Sequence, residues 1–175
     1  MKPPSSLRWV GWSVLASAIS MIASVVFSMI ALSMGWITLG THSHSVLVET
    51  FDVLTTGFLL PLPIAFHWIY RSNAPHLSLF SMLLGTITLL AGTVLHILFV
   101  FEVLWFSDWA WVYLYGGAGF SLWLIGVASL AYKNGKPRRG TLLNLIGASV
   151  VGFPVWAFWL GYLLASGKLT DRPAA

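Results

Sequence analysis

Five long apolar stretches occupy most of this chain and constrain its fold more than any other feature. They cover residues 9–34, 46–70, 77–106, 109–132 and 141–166. Each is long enough to cross a hydrocarbon core about 30 Å thick, which takes about 20 helical residues. Because backbone polar groups find no water partners in lipid, stretches of this length must be helical. The sequence therefore predicts an all-α integral membrane protein, a bundle of five transmembrane helices forming one transmembrane domain over residues 1–175.

The composition excludes several classes of protein. Only 8% of the 175 residues are charged and 58% are hydrophobic, whereas a soluble domain carries about 25% charged residues. The chain has no cysteine, which excludes disulfides, thiolate metal sites and thiol catalysis. No nucleotide-binding loop or common hydrolase motif occurs. An enzyme is therefore not favoured. The lipid bilayer is the expected partner, and nucleic acid is not.

The placement of the basic residues predicts how the bundle is oriented. Seven of them lie in the N-terminal segment, the second loop and the fourth loop, namely Lys2, Arg8, Arg71, Lys133, Lys136, Arg138 and Arg139. Five spans put all seven on one side and leave only Lys168 and Arg172 on the other. Because lysine and arginine concentrate in cytoplasmic loops, we expect a cytoplasmic N-terminus and a C-terminus outside. The expected location is the plasma membrane of a bacterium or an archaeon.

The second apolar stretch carries a polar stripe. At about 100° per residue, counted from Ser45, Glu49 lies near 40°, Asp52 near 340° and Thr56 near 20°. His67 lies near 40° as well, although the prolines that precede it make its angle less certain. A helix face that points to lipid would not tolerate this stripe. The stripe must therefore face protein or water.

Two prolines interrupt the same stretch. Pro61 and Pro63 each lack a backbone N–H and clash with the carbonyl four residues earlier. The carbonyls of Gly57 and Leu59 are therefore expected to lose their helical partners. Transporters use such breaks to bind cations, but a plain structural kink is the simpler interpretation.

The second and third stretches form a hairpin, which allows depths to be compared. Its turn is centred near residue 74, so residues at equal distances from that point lie at equal depth. Asp52 and His96 then lie opposite each other, roughly 10–12 Å inside the outer boundary at 1.5 Å per residue. An isolated charge at such a depth costs about 2.5–3.5 kcal/mol. A mutual contact between the two side chains would reduce that cost.

The first stretch carries small residues at four-residue spacing, namely Ala16, Ser20, Ser24 and Ser28. Such a stripe lets another helix approach closely in lipid. Packing within the chain is the favoured interpretation, and a homo-oligomer interface is the alternative.

The histidines raise the question of metal or haem binding. His42 and His44 have a spacing that occurs in metal sites, but the motif is short and common, so exposed loop histidines are the simpler interpretation. A bis-histidine haem b site needs two histidines at one depth on facing helices. Within one chain neither His67 nor His96 has such a partner, although Met82 lies nearly opposite His67. The sequence identifies no cofactor.

Two functional hypotheses remain from different classes. The first is a small transporter or an ion- or proton-binding protein, whose polar site comprises Glu49, Asp52, Thr56 and His96 and opens to the outer face. In it, Asp52 and His96 exchange a proton or hold a cation. The second is a non-catalytic subunit or assembly factor of a larger membrane complex, in which the polar stripe binds a partner helix. A haem b protein is a third, weaker alternative.

Overall fold

The computed structural model describes residues 5–36, 46–101, 103, 106–133 and 152–168, and for residues 5, 6, 106–116 and 133 it describes the backbone alone. Every element in these ranges is helical. The helices are α1 (Ser5–Ser33), α2 (Val46–Leu59), α3 (Pro61–Tyr70), α4 (Pro75–Val100), α5 (Phe106–Lys133) and α6 (Gly152–Ser166). The expectation of an all-helical fold is thus confirmed for the described part of the chain.

Three segments are long and apolar enough to cross a membrane: Leu7–Ser33, Val46–Tyr70 and Pro75–Val100. The helices Gly117–Tyr132 and Gly152–Ser166 are also apolar but shorter. Three membrane-length helices are compatible with a membrane protein. The five-span bundle and its orientation stay predictions.

The distribution of side chains is compatible with a membrane protein. Large apolar side chains such as Met29, Phe80 and Ile87 are exposed on the outside of the bundle. Polar side chains lie inside it: Ser17, Ser20, Ser24, Glu49, Thr55, Ser78, Ser81 and His96 are all buried. Burying a polar group is costly unless it finds a partner. The helix interfaces are therefore where partners for these side chains must be found.

The stretch 46–70 forms two helices separated at Leu60. Leu60 keeps helical backbone angles, with φ −51° and ψ −37°, and its N–H donates to the carbonyl of Gly57 at 3.2 Å. Pro61 follows and has no N–H to continue the ladder. The interruption is therefore local, and α2 and α3 together form one membrane-length segment.

Three helix ends differ by more than two residues from those expected from the apolar stretches. α1 begins at Ser5 instead of residue 9, α4 ends at Val100 instead of 106, and α5 begins at Phe106 instead of 109. Apart from Glu102, the residues between α4 and α5 are apolar, so hydrophobicity does not mark where α4 stops. Hydrogen bonding does mark it, because the N–H of Val103 turns back to the carbonyl of Leu98 at 2.9 Å. Residues 141–151 of the expected fifth helix lie outside the described residues.

The helices pack in a connected series. α1 contacts α6 on one side and α2 on the other, α2 contacts α4, and α4 contacts α5. α3 also packs on α4 and reaches α1 and α5. The expected packing of the small-residue stripe within the chain is visible here, because Ser20 and Ser24 of α1 are buried.

Aromatic rings fill the core beside α3. Phe66 lies 6.1 Å from Trp123, and Phe120 lies 5.4 Å from Trp123 and 6.3 Å from Trp156, measured between ring centroids. Phe153 joins them from α6, 5.6 Å from Trp156. These rings link α3, α5 and α6 into an apolar core. The polar side chains of α2 lie beyond the break at Leu60, in the other part of the same span.

The crossing of α1 and α6 depends on two glycines. A methyl group at Gly11 would lie 2.3 Å from the backbone nitrogen of Ala165, and one at Gly161 would lie 2.9 Å from the carbonyl oxygen of Gly11. Contacts this short involve backbone atoms, which cannot rotate away. The two helices therefore approach each other so closely only because both residues lack a side chain.

We expect Gly11→Ala to lower the free energy of unfolding by about 1–3 kcal/mol, because overpacking forces the backbones apart. Thermal unfolding in detergent measures the effect. Gly57→Ala is the matched control, since nothing lies within 4 Å of its added methyl group. The control should be neutral or slightly stabilising. Equal melting temperatures for the two variants would contradict the close crossing.

Candidate functional site

Two carboxylates and an imidazole meet between α2 and α4. Glu49, Asp52 and His96 each offer one ligand atom, and these atoms all lie within 4.8 Å of one another. Glu49 and Asp52 are three residues apart on α2 and so share a face. That face packs against α4, which carries His96. These three side chains are called the carboxylate–imidazole cluster below.

His96 and Glu49 form the innermost contact of the cluster. The Nδ1 atom of His96 lies 3.0 Å from Oε2 of Glu49. His96 is 8% exposed and Glu49 3% exposed. An ionised carboxylate can only accept, so in that state the imidazole Nδ1–H donates. The sequence pairs His96 with Asp52. In the structure His96 is hydrogen-bonded to Glu49, which precedes Asp52 by about one helical turn, and Asp52 lies close to both.

α1 holds the second carboxylate. The hydroxyl of Ser24 donates to Oδ1 of Asp52 at 2.7 Å, a length typical of a hydrogen bond to a charged acceptor. Asp52 is half-buried and Ser24 is buried. The sequence predicts Ser24 as a packing residue and does not place it at the site. Its spacing along α1 is the only signal that points to an interface.

Thr56 lies one turn from Asp52 and does not belong to the group of three. Its hydroxyl lies 3.0 Å from the carbonyl oxygen of Asp52 and 3.0 Å from the hydroxyl of Thr93. The Thr93 hydroxyl also lies 2.8 Å from the carbonyl of Leu89. The two threonines form a small polar floor next to the cluster. Thr93 is a polar contact that the sequence analysis does not include.

The hairpin keeps nearly the predicted register along its length. Glu49 meets His96 at one end, Thr56 meets Thr93 in the middle, and near the Arg71 turn Nδ1 of His67 lies 3.1 Å from the hydroxyl of Ser78. Each pair is nearly symmetric about the turn. Each observed partner therefore lies less than one helical turn from the residue that symmetry about position 74 predicts.

The carbonyls around the proline break have partners within the chain. The Ser17 hydroxyl donates to the carbonyl of Thr55 at 2.8 Å, and the Ser13 hydroxyl donates to that of Phe58. The carbonyl of Gly57 accepts from the N–H of Leu60. This pattern favours a structural kink at the break over a cation site built from backbone oxygens.

The helices that carry the cluster contribute no permanent positive charge to it. No lysine or arginine occurs between Arg8 and Arg71, or between Arg71 and Lys133. α2, α3 and α4 therefore carry no permanent cation inside their spans. Within the cluster two carboxylates lie close to one imidazole, and two negative charges held so close together favour the uptake of positive charge. The arrangement is suited to hold a proton or an added cation.

The other histidine candidates lie elsewhere. His42 and His44, the weak metal candidates, fall outside the described residues. His67 is bonded to Ser78 near the opposite end of the hairpin, and His76 is exposed there. None of the histidines in the described part except His96 belongs to the cluster.

Similarity to known proteins does not assign the cluster a role. No family model, curated protein or solved structure matches the chain. The functional inference therefore comes from the chemistry of the three donors.

We expect Glu49 and His96 to be energetically coupled. Their alanine variants, alone and combined, should give a coupling energy of about 0.5–3 kcal/mol in thermal or denaturant unfolding, as residues in direct contact do. The control is the same cycle with Glu49 and His76, which is exposed near the opposite end of α4. That control cycle should be additive. Additive effects of Glu49→Ala and His96→Ala would show that the buried hydrogen bond is not formed.

Proposed function

We propose that this protein is a small membrane transporter or ion-binding protein. Its site comprises Glu49, Asp52 and His96, with Thr56 beside them, and takes up a cation or a proton. The observation that carries the proposal is the convergence of three ionisable side chains within 4.8 Å inside an apolar helical bundle. Ionisable residues within membrane spans are costly, and they mark ion pathways and proton relays.

The balance of charges supports uptake of positive charge. With Glu49 and Asp52 ionised, a single imidazole can neutralise at most one of them. A proton or a cation from outside supplies the remainder. Binding and release of that charge then change the electrostatic state of an interface between α1, α2 and α4, which all contact the cluster.

The site is proposed to open toward the outer face of a five-helix bundle in the plasma membrane. At 1.5 Å per residue, Glu49 lies about 5 Å from the start of α2 at Val46, and His96 about 6 Å from the end of α4 at Val100. The basic residues favour the Arg71 turn as the cytoplasmic side. The cluster lies toward the other end of the hairpin, which supports access from outside.

Single cysteines test this orientation without background, because the chain has none of its own. Ser72 and Val103 are exposed at opposite ends of α4. In intact cells a membrane-impermeant maleimide should label the Val103→Cys variant and should label Ser72→Cys only after the membrane is permeabilised. The reverse pattern would invert the topology, and labelling of both in intact cells would exclude a span between them.

The alternative of a non-catalytic subunit has less support. That hypothesis needs the polar stripe of α2 to be available for a helix of another protein. Asp52 already accepts from Ser24 on α1, and Glu49 already meets His96 on α4. The stripe is thus used within the chain, which favours a site over a docking face.

Transport by purified protein in liposomes tests the function. Wild-type protein should accelerate flux of protons, read with a pH-sensitive dye, or of Zn²⁺ or Mn²⁺, read with a metal-sensitive dye. Asp52→Asn should abolish that flux while the variant stays folded and monodisperse. His96→Gln should weaken it roughly 10–100-fold, since an interaction with a charged group contributes about 1.5–3 kcal/mol.

The matched control is His67→Gln, the same change in a histidine bonded to Ser78 outside the cluster. Its flux should equal that of the wild type. Equal flux in wild-type and Asp52→Asn liposomes, or no flux above empty liposomes for any of these ions, would refute the proposed function.

A further inference from the structure

We propose that the cation bound at the carboxylate–imidazole cluster is a divalent transition metal ion of the Zn²⁺ class, held by His96, Glu49 and Asp52. This inference rests on the proposed function and specifies the ion. Three features of the cluster carry it: the donor atoms, their spacing and their charge.

The donor set selects the class of ion. Imidazole nitrogen suits Zn²⁺, Fe²⁺, Ni²⁺ and Cu²⁺, whereas Mg²⁺ and Ca²⁺ are bound by oxygen ligands. The cluster offers one nitrogen from His96 together with carboxylate oxygens from Glu49 and Asp52. Three protein ligands leave a coordination position for water, as in zinc sites that stay open. An open position suits an ion that must enter and leave.

The spacing is close to what one metal ion requires. Zn–N and Zn–O bonds are about 2.0–2.2 Å, so two ligands of one Zn²⁺ lie at most about 4.4 Å apart. The three ligand atoms lie within 4.8 Å of one another, and Nδ1 of His96 lies 3.0 Å from Oε2 of Glu49. At the tetrahedral angle, two ligand atoms of one Zn²⁺ lie about 3.4 Å apart, so the widest pair has to close by up to about 1.4 Å when the ion binds.

The charge favours a divalent ion over a monovalent one. Glu49 and Asp52 together carry two negative charges when ionised, and a neutral imidazole is the form that ligates metal. A divalent ion makes this set neutral, which a buried site requires. A monovalent ion leaves one negative charge on the set, and α2 and α4 contain no lysine or arginine of their own.

Ser24 acts as a positioning residue for this metal. Its hydroxyl fixes Oδ1 of Asp52 at 2.7 Å from the α1 side. Carboxylates that bind metals are typically held by such hydrogen bonds, and removing the partner weakens metal binding about 10–100-fold. α1 thus contributes to the site without supplying a ligand.

Metal titration of the purified full-length protein tests the proposal, with an affinity tag that contains no histidine. Metal-stripped protein in detergent is titrated with Zn²⁺ by calorimetry and with Co²⁺ by visible absorption. We expect one ion per chain, d–d bands for Co²⁺, and no competition from excess Mg²⁺. Glu49→Gln, Asp52→Asn and His96→Gln should each weaken Zn²⁺ binding by at least about tenfold, and Ser24→Ala, which removes no ligand, should also weaken it.

Two controls exclude His42, His44 and His67 as the source of binding. His67→Gln and the double variant His42→Gln/His44→Gln should bind Zn²⁺ as the wild type does. Circular dichroism and gel filtration establish that each variant is folded. If a cluster variant fails to fold, Ser24→Ala still tests the site. This variant loses the hydrogen bond from Ser24 to Asp52, so its Co²⁺ spectrum should be shifted from that of the wild type.

Other outcomes overturn the inference in distinguishable ways. Binding that survives all the cluster variants and disappears in His42→Gln/His44→Gln would move the metal to that histidine pair. Absence of Zn²⁺ and Co²⁺ binding, with a proton flux that still depends on Asp52, would refute the metal and leave the proposed function intact. Absence of both binding and flux would refute both.

Discussion

The placement of one buried and one half-buried carboxyl group inside an apolar helical bundle is the constraint on which the rest of this structure depends. A charge within a membrane span costs up to about 2.5–3.5 kcal/mol, and α2, α3 and α4 contain no lysine or arginine. The helices around them are arranged to reduce that cost. α4 brings His96 to Glu49, and α1 brings Ser24 to Asp52.

Polar contacts to α2 also explain why the first helix packs where it does. Ser13 and Ser17 donate to carbonyls of α2 near the proline break, and Ser24 donates to a side chain farther along. Such hydroxyls stabilise helix contacts in lipid, where apolar burial alone gives no driving force. The other face of α1 crosses α6 at Gly11 and Gly161. The span of α2 and α3 thus has a polar part held by α1 and α4, and an aromatic part in which Phe66 of α3 packs against Trp123 of α5.

The sequence predicts which face of α2 is polar and which part of α4 lies at the same depth, but it does not predict the individual contacts. Helical periodicity places Glu49 and Asp52 on one face, and hairpin symmetry brings His96 to their depth. Symmetry is accurate only to about one turn, so it does not decide which carboxylate meets Nδ1. Ser24 is not predicted as a site residue, because nothing in the sequence determines which face of α1 packs against α2. The sequence does not predict the end of α4 at Val100 either, because the residues that follow are apolar apart from Glu102.

The central claim is that the buried imidazole of His96 is in direct contact with the carboxylate of Glu49. Solid-state NMR of the protein in lipid bilayers tests it most directly, through the dipolar coupling between ¹⁵N-labelled His96 and the ¹³C-labelled side-chain carboxyl of Glu49. The two atoms Nδ1 and Oε2 lie 3.0 Å apart, so we predict a clear coupling that is lost in Glu49→Ala. No measurable coupling in the wild-type protein would contradict the account.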